Sequence, residues 1–316
     1  MVLIIGSAMD PHVQAIIEHL SISSTEYAIL DRYDWESSHG LELEIDKTIS
    51  LCLGRPKAQV RVSAIWWRQK PKSLQSSSSV SDYYDRVFVD QEWNHVLRYL
   101  EHGYSDALSI NDPTKALLAG NKLYQLKLAT SLGVKIPQTI FTNNPYSVLK
   151  LIESSKPGKV VFKTLNAYMS PIGLLTYTSI IDKQMVVDGK ASIKRAPGIY
   201  QTFVQKEYEL RITIVGTEVY AARVENDEVL GETIDWREHH ASNKWMHVQI
   251  SEEFKHQLLK LHKAFGLFYG AYDFIRDEKG DYVFMEVNPS GQWLWLEKCL
   301  GFPISNAIAN KLMRNF

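Results

Sequence analysis

Glu286 and Asn288 carry the chemistry most easily read from this chain. They fall two apart in Tyr282-Val283-Phe284-Met285-Glu286-Val287-Asn288-Pro289, a run whose middle alternates as a strand does. Residues two apart on a strand share a face. A carboxylate and an amide oxygen therefore stand side by side, just before the turn that Pro289 forces. These are hard oxygen donors, suited to magnesium and poor for softer metals. Upstream, Gly270–Ile275 reads as a neighbouring strand, and Asp277-Glu278-Lys279-Gly280 joins the two as a hairpin. Asp273 then lies across from Glu286 and Asn288. Three oxygen donors on two paired strands suit a magnesium–phosphate site of the kind that transfers phosphoryl groups. The competing reading is a Glu and an Asn that simply face solvent. What weighs against it is a second block of chemistry far away in sequence.

That block centres on Lys163, alone in the apolar run Val160-Val161-Phe162-Lys163-Thr164-Leu165. Burying an unpaired ammonium costs several kcal/mol. Lys163 is therefore either on an edge strand in water or reaches a phosphate at the floor of a cleft. Lys122 lies on a helix-forming stretch, where an exposed lysine is ordinary. In Tyr200–Arg211 an apolar strand-like piece passes into a polar stretch and then into a strand with alternating acid and base. Such a segment can offer backbone groups to a flat heterocycle and a carboxylate to a ribose.

Several elements must position these groups. Val2–Ile5 and Tyr27–Leu30 read as strands around a helix from Pro11 to Leu20, a small open α/β unit. Leu41–Ile45 and Thr48–Leu53 alternate as a hairpin, Ser63–Trp67 is another strand leading into Arg68, and Tyr83–Gly103 has helical periodicity. Ser73–Ser81 is serine-rich and reads as a surface loop. The acids of Asp82–Asp90 read as a solvated helix face. A boundary falls near Asn111-Asp112-Pro113, where Asn111 or Asp112 would cap a helix running to Leu132, ended by Gly133. The division is 1–110, 111–198 and 199–316. The strand Val160–Leu165 precedes a mobile stretch, Asn166–Gly173. Strands follow at Ile199–Gln205, Leu210–Val215 and Glu218–Val224, then an amphipathic helix at Glu252–Phe265 stopped by Gly266, with helices after Ser290.

Composition narrows the class. At 316 residues and 45% hydrophobic, the chain can bury a large core and more than one domain. A net charge of −1 gives no global pull toward nucleic acid or an anionic membrane. Cys52 and Cys299 are too few for a disulfide framework or a thiolate cage and suit a reducing compartment. Met1–Gly6 is too short for a signal peptide, and no apolar run reaches membrane-spanning length. The expectation is a soluble cytoplasmic protein. His239 and His240 are adjacent, so on a strand they face opposite ways, and with His247 they make a poor zinc set. Trp293 and Trp295, alternating with Leu294 and Leu296, read by default as core packing, the alternative being a tryptophan that lines an acceptor cleft.

Taken in order, Lys122, Lys163, Gln201–Val204, Glu209, Asp273, Glu286 and Asn288 resemble the ATP-grasp ligases. The resemblance covers Asn111 to the C-terminus well and the N-terminal third loosely. It sharpens at Glu209–Gly216, Asp235-Trp236-Arg237 and Asn288–Glu297, which look like the ATP-grasp peptide maturases of the microviridin (graspetide) type. The Gly291-Gln292-Trp293 continuation is the most specific part, with Thr176–Thr178 and Trp66-Trp67-Arg68 as weaker echoes.

The resemblance implies an ATP-grasp fold: an N-terminal open α/β (pre-ATP-grasp) domain and two α+β subdomains with ATP between them. It implies that Lys122 and Lys163 meet phosphates, that Gln201, Phe203 and Val204 lie beside adenine, and that Glu209 meets the ribose. Asp273, Glu286 and Asn288 match magnesium ligands, with Glu286 bridging two ions. Arg211 matches an arginine near the γ-phosphate or acyl group, and Asp235 and Arg237 a motif near the acceptor. The implied reaction activates a side-chain carboxylate of a precursor peptide as an acyl phosphate, and a hydroxyl or amine of the same peptide then displaces phosphate. A homodimer is the assembly that related enzymes suggest. Arg223 departs from the peptide-cyclising pattern and resembles acid-binding sites of glutamate-adding ligases. A ligase for small molecules or peptide C-termini is therefore the first rival, and a peptide-binding pseudoenzyme the second.

Overall fold

Four apolar residues in succession, Val2–Ile5, form strand β1, buried along its whole length as a central parallel strand must be. The computed structural model describes residues 1–31, 41–44, 50–53, 62–68, 82–103, 107–156, 158–165, 178–225 and 244–314. Asp10 caps helix α1 (Pro11–Ile22) by accepting from the His12 amide. Strand β2 (Tyr27–Leu30), the antiparallel pair β3 (Leu41–Glu44) and β4 (Ser50–Leu53), strand β5 (Ala64–Trp67), helix α2 (Tyr83–Gly103) and strand β6 (Leu108–Ile110) complete the N-terminal third. The parallel sheet runs β2-β1-β5-β6. One face packs Leu3, Ile5, Ile65 and Trp67 on Leu97 and Leu100 of α2. Asp90 lies two turns before Leu97 and is buried with that face, so the expected solvated acidic surface holds for Asp82 and Asp85 but not for Asp90.

The helix expected from Pro113 to Leu132 is two helices, α3 (Pro113–Ala119) and α4 (Lys122–Ser131). Gly120 ends the first, and Asn121 starts the second by accepting from the Leu123 and Tyr124 amides. Asp112, not Asn111, caps α3. Strand β7 (Thr139–Thr142), α5 (Pro145–Ser154), β8 (Val160–Lys163), β9 (Ser179–Ile181), α6 (Lys183–Asp188), α7 (Lys190–Arg195) and β10 (Gly198–Thr202) follow. Their antiparallel sheet runs β7-β10-β8-β9. Val160, Phe162 and Tyr200 turn to one face and pack on Val148, Leu151 and Ile152 of α5 and Val186 of α6.

The last unit holds β11 (Lys206–Val215), β12 (Glu218–Glu225), β13 (Trp245–His247), α8 (Glu252–Phe265), β14 (Tyr269–Asp277), β15 (Tyr282–Asn288), α9 (Leu294–Leu300) and α10 (Ile304–Met313). Its antiparallel sheet runs β13-β12-β11-β14-β15. Leu210, Ile212, Tyr272, Phe274 and Phe284 bury one face against Phe254, Leu258, Leu261 and Phe265 of α8. The other face joins the N-terminal sheet. Val2, Ile4, Ala64 and Trp66 share one core with Val215, Ala271, Trp293 and Ile308. Among the described residues no helix is long and apolar enough to cross a membrane. Ser73–Ser81 and Asn166–Gly173 lie outside the described residues.

His262 of α8 is buried, with Nδ1 2.8 Å from the Tyr272 hydroxyl and Nε2 3.2 Å from the Phe268 carbonyl. The carbonyl must accept from Nε2–H, so Tyr272 donates to Nδ1. Burial holds the imidazole pKa down at about 4, against 6.5 in the open chain. The unfolded chain therefore takes the proton first. Stability is full above the unfolded value and falls by about 3 kcal/mol as pH drops from 6.5 toward 4. Denaturant titrations across that range will show this slope, and His262→Gln will flatten it.

Candidate active site

Register places the site. On β11, Glu209, Arg211 and Thr213 share a face, because Tyr208, Leu210 and Ile212 turn into the α8 core. Arg211 stands opposite Asp273 of β14, which stands opposite Glu286 of β15. Directly opposed residues in an antiparallel pair point the same way. Arg211, Asp273 and Glu286 thus form a row across three strands. Asn288, opposite Ala271, stands one step along on the same face. The ladder skips Met285 on β15, so Phe284 enters the core while Glu286 turns outward. The three expected oxygen donors are therefore brought together. They are two carboxylates and an amide. Among the described residues no three His, Cys, Asp or Glu side chains converge anywhere.

The charges around the row are already engaged. Arg211 Nη1 donates to Asp273 Oδ1 at 2.9 Å, and Arg211 itself is buried. Burial alone would lower the guanidinium pKa, but the Asp273 carboxylate beside it outweighs that and raises it. Lys122, the first residue of α4, donates to the Thr164 carbonyl at 3.1 Å and lies 3.7 Å from Glu286 Oε2. It thereby spans the gap between the end of β8 and the acidic row. Glu209 is paired with Lys206 at 2.5 Å.

Lys163 is the last residue of β8, a strand bonded to β10 on one side and to β9 on the other; β9 covers that edge as far as Phe162, and Lys163 itself pairs with β10 alone. It opposes Ile199, and Val161 opposes Gln201. Lys163 and Gln201 consequently share the face turned away from α5 and α6. Gln201 is buried. Its Nε2 donates to Thr139 Oγ1 at 3.0 Å, and its Oε1 has no hydrogen-bond partner among the described residues. Phe203 and Val204 lie in the short connection from β10 to β11, between the two sheets.

Arg223 does not join the row. It opposes Leu210 on the α8 side of the sheet, and its guanidinium lies over the Tyr208 ring at 5.3 Å. The sequence pattern could not show this, because a strand's face depends on its partner's register. Asp235, Arg237, His239 and His240 lie outside the described residues. His247 is exposed, with Nε2 2.9 Å from the Leu300 carbonyl. Trp293 is core, as expected, and Trp295 packs against Trp245.

Two supporting residues escaped the sequence reading. Gln125 of α4 accepts from the Val287 amide at 3.0 Å and donates to the Val287 carbonyl at 2.9 Å. It pins the open edge of β15 between Glu286 and Asn288. Asn111 donates to the Tyr269 and Pro289 carbonyls and accepts from the Phe268 and Tyr269 amides, each at 2.8 Å. A polar residue on the apolar side of a helix was the available signal for Gln125. For Asn111 the neighbouring Asp112-Pro113 cap masked the role.

This architecture is that of an ATP-grasp enzyme. The RimK-like ATP-grasp domain profile matches residues 119–312. The chain belongs to that family and is an ATP-dependent ligase. A probable alpha-L-glutamate ligase of Marinobacter nauticus is 26% identical over 210 residues, 66% of this chain and 67% of that protein. A second such ligase, of Desulfotalea psychrophila, is matched over only 41% of its length. The alpha-aminoadipate–LysW ligase LysX of Sulfolobus acidocaldarius is 25% identical over 64% of this chain and 73% of its own. Among solved structures, the macrocyclase MdnC bound with precursor peptide MdnA, from Microcystis aeruginosa MRC, superposes with a TM-score of 0.85 at 27% identity, covering 98% of both chains. A RiPP-associated ATP-grasp ligase of Chryseobacterium gregarium shares the fold at TM-score 0.84 and 23% identity, over 98% of this chain and 96% of its own.

Proposed function

We propose that this protein crosslinks a ribosomally made precursor peptide, joining Asp or Glu side chains to hydroxyl or amine side chains of the same chain as esters or amides. The observation that carries this is the end-to-end likeness to a peptide macrocyclase, against partial matches to the glutamate ligases. Asp273, Glu286 and Asn288 would hold magnesium. Their hard oxygen donors suit that cation. Lys122 and Lys163 would meet the phosphates of ATP, Phe203 and Val204 the base, and Glu209 the ribose. The Oε1 of Gln201, without a hydrogen-bond partner among the described residues, suits a ligand donor such as an exocyclic amine. Bound ATP with its magnesium supplies the phosphoryl group that makes a carboxylate oxygen a leaving group.

The remaining work falls to the chain. Lys122 and Lys163 offset negative charge so that one anion can approach another. Arg211 places a permanent charge in the acidic row and can hold an acyl oxygen. Asp235, Arg237 and the Asn166–Gly173 segment are assigned to peptide positioning and water exclusion on the resemblance alone. The rival, addition of an amino acid to a carboxylate, draws on the names of the relatives. Its residue-level support was Arg223, which faces away from the row. Mass spectrometry separates the two. Incubation with ATP, magnesium and a candidate precursor rich in Thr, Lys, Asp and Glu will remove one water per link. A mass gain equal to an added amino acid would favour the rival.

A further inference from the structure

We propose that Asp10, His12 and Arg68, from the N-terminal unit, are positioning residues for the metal end of the site, acting through the backbone of Ser290–Trp293. This rests on the reading of Asp273, Glu286 and Asn288 as magnesium ligands. The segment leaves β15 directly after Asn288, and each of its residues is tied. The Ser290 amide donates to Asn288 Oδ1 at 3.0 Å, and the Ser290 carbonyl accepts from Arg68 Nη1 at 2.9 Å. The Gly291 carbonyl accepts from the Tyr269 hydroxyl at 2.8 Å, and that of Gln292 from Arg211 Nη2 at 3.4 Å. The Trp293 amide donates to His12 Nε2 at 3.2 Å. Ser290 thus connects Arg68 to the Asn288 side chain, and Gln292 connects the same segment to Arg211.

Asp10 orders both N-terminal groups. Because His12 Nε2 accepts from Trp293, the ring proton sits on Nδ1 and is donated to Asp10 Oδ1 at 2.9 Å. Asp10 Oδ2 accepts from Arg68 Nε at 2.8 Å. Burial would raise the Asp10 pKa, but the His12 hydrogen bond and the Arg68 charge outweigh it and hold the carboxyl well below its ordinary range. The Trp293 indole lies edge-on to the His12 ring at 4.5 Å and under the Arg68 guanidinium at 5.4 Å, with Nε1 donating to Ser305 Oγ at 2.9 Å. His12 is buried and Arg68 half-buried; His12 Nε2 and Arg68 Nη1 face this segment, while His12 Nδ1 and Arg68 Nε turn to Asp10, with Arg68 Nη2 3.1 Å from His12 Nδ1. Packing between units needs only apolar complementarity; this arrangement aims specific donors and acceptors at the backbone that follows a metal ligand. Groups behind a first set of ligands commonly change metal affinity 10- to 100-fold when removed.

The test is calorimetric titration of magnesium into the full chain saturated with ADP, with melting temperature recorded for every variant. His12→Asn removes the acceptor facing Trp293, His12→Gln can keep one at the position of Nε2, and Arg68→Ala frees the Ser290 carbonyl. His12→Asn and Arg68→Ala are expected to weaken magnesium about ten-fold, and His12→Gln to restore most of that at a similar melting temperature. Glu286→Gln is the reference. If it loses magnesium binding while His12→Asn and Arg68→Ala keep wild-type affinity, the positioning role is overturned and the ligand assignment stands. If Glu286→Gln itself binds magnesium normally, both are overturned.

Discussion

Glu286→Gln is expected to lower ATP-dependent phosphate release by about 10³-fold or more while the protein still folds. The substitution keeps the size and one oxygen of the side chain and removes its charge. On the proposed assignment this carboxylate holds magnesium, and a loss of about 4 kcal/mol of charge stabilisation is about 10³ in rate. Glu286 faces outward from β15, away from the Phe284 and Val287 core, so Gln can take its place without disturbing that core. The same change leaves Lys122, 3.7 Å away, without its carboxylate partner at that position. Turnover and melting temperature should therefore separate cleanly. Phosphate release at the wild-type rate in a folded Glu286→Gln protein would show that Glu286 holds no catalytic cation.

Gly291→Ala is expected to damage turnover as severely as many direct contacts would, although Gly291 offers no side chain. A Cβ at this position would lie 2.5 Å from the Ala271 Cβ and 2.8 Å from Arg211 Nη2. Ala271 is on a central strand and cannot retreat, so the segment or the guanidinium must move. Overpacking of this kind costs about 1–3 kcal/mol. On the role proposed for Arg211, a displacement of about 1 Å would cost about 10²-fold in rate. Gly291 is thus required for close approach rather than for backbone freedom. Circular dichroism melts and phosphate-release assays on Gly291→Ala check both numbers. Wild-type values in both would mean that Arg211 has room the structure does not show.

Much of the site was legible because its geometry is local. The hairpin itself follows from two apolar strands flanking a turn in which Gly280 takes the positive φ, while the bulge at Met285 that turns Glu286 outward from Phe284 breaks the period of two and was not legible. The helix Glu252–Phe265, its Ser251 cap and its Gly266 stop follow from an apolar stripe between recognised signals. The break at Gly120-Asn121 was missed because the apolar residues run straight through it, yet one N-cap is enough to start a new helix there. That break sets Lys122 at a helix start beside Thr164 and Glu286.

The chain's own pattern thus determined which residues carry oxygen donors, which neighbours they share a strand face with, and where helices begin and stop. These depend on interactions within a few positions. Only the tertiary structure decided that β8 is flanked on both sides as far as Phe162, and that Arg223 shows the α8 face rather than the acidic row. It alone brought Asp10, His12 and Arg68 to the backbone after Asn288, more than two hundred residues along the chain. Strand partners, registers and contacts between distant segments are set by how apolar faces from separate units close on one core, and no local period encodes that closure.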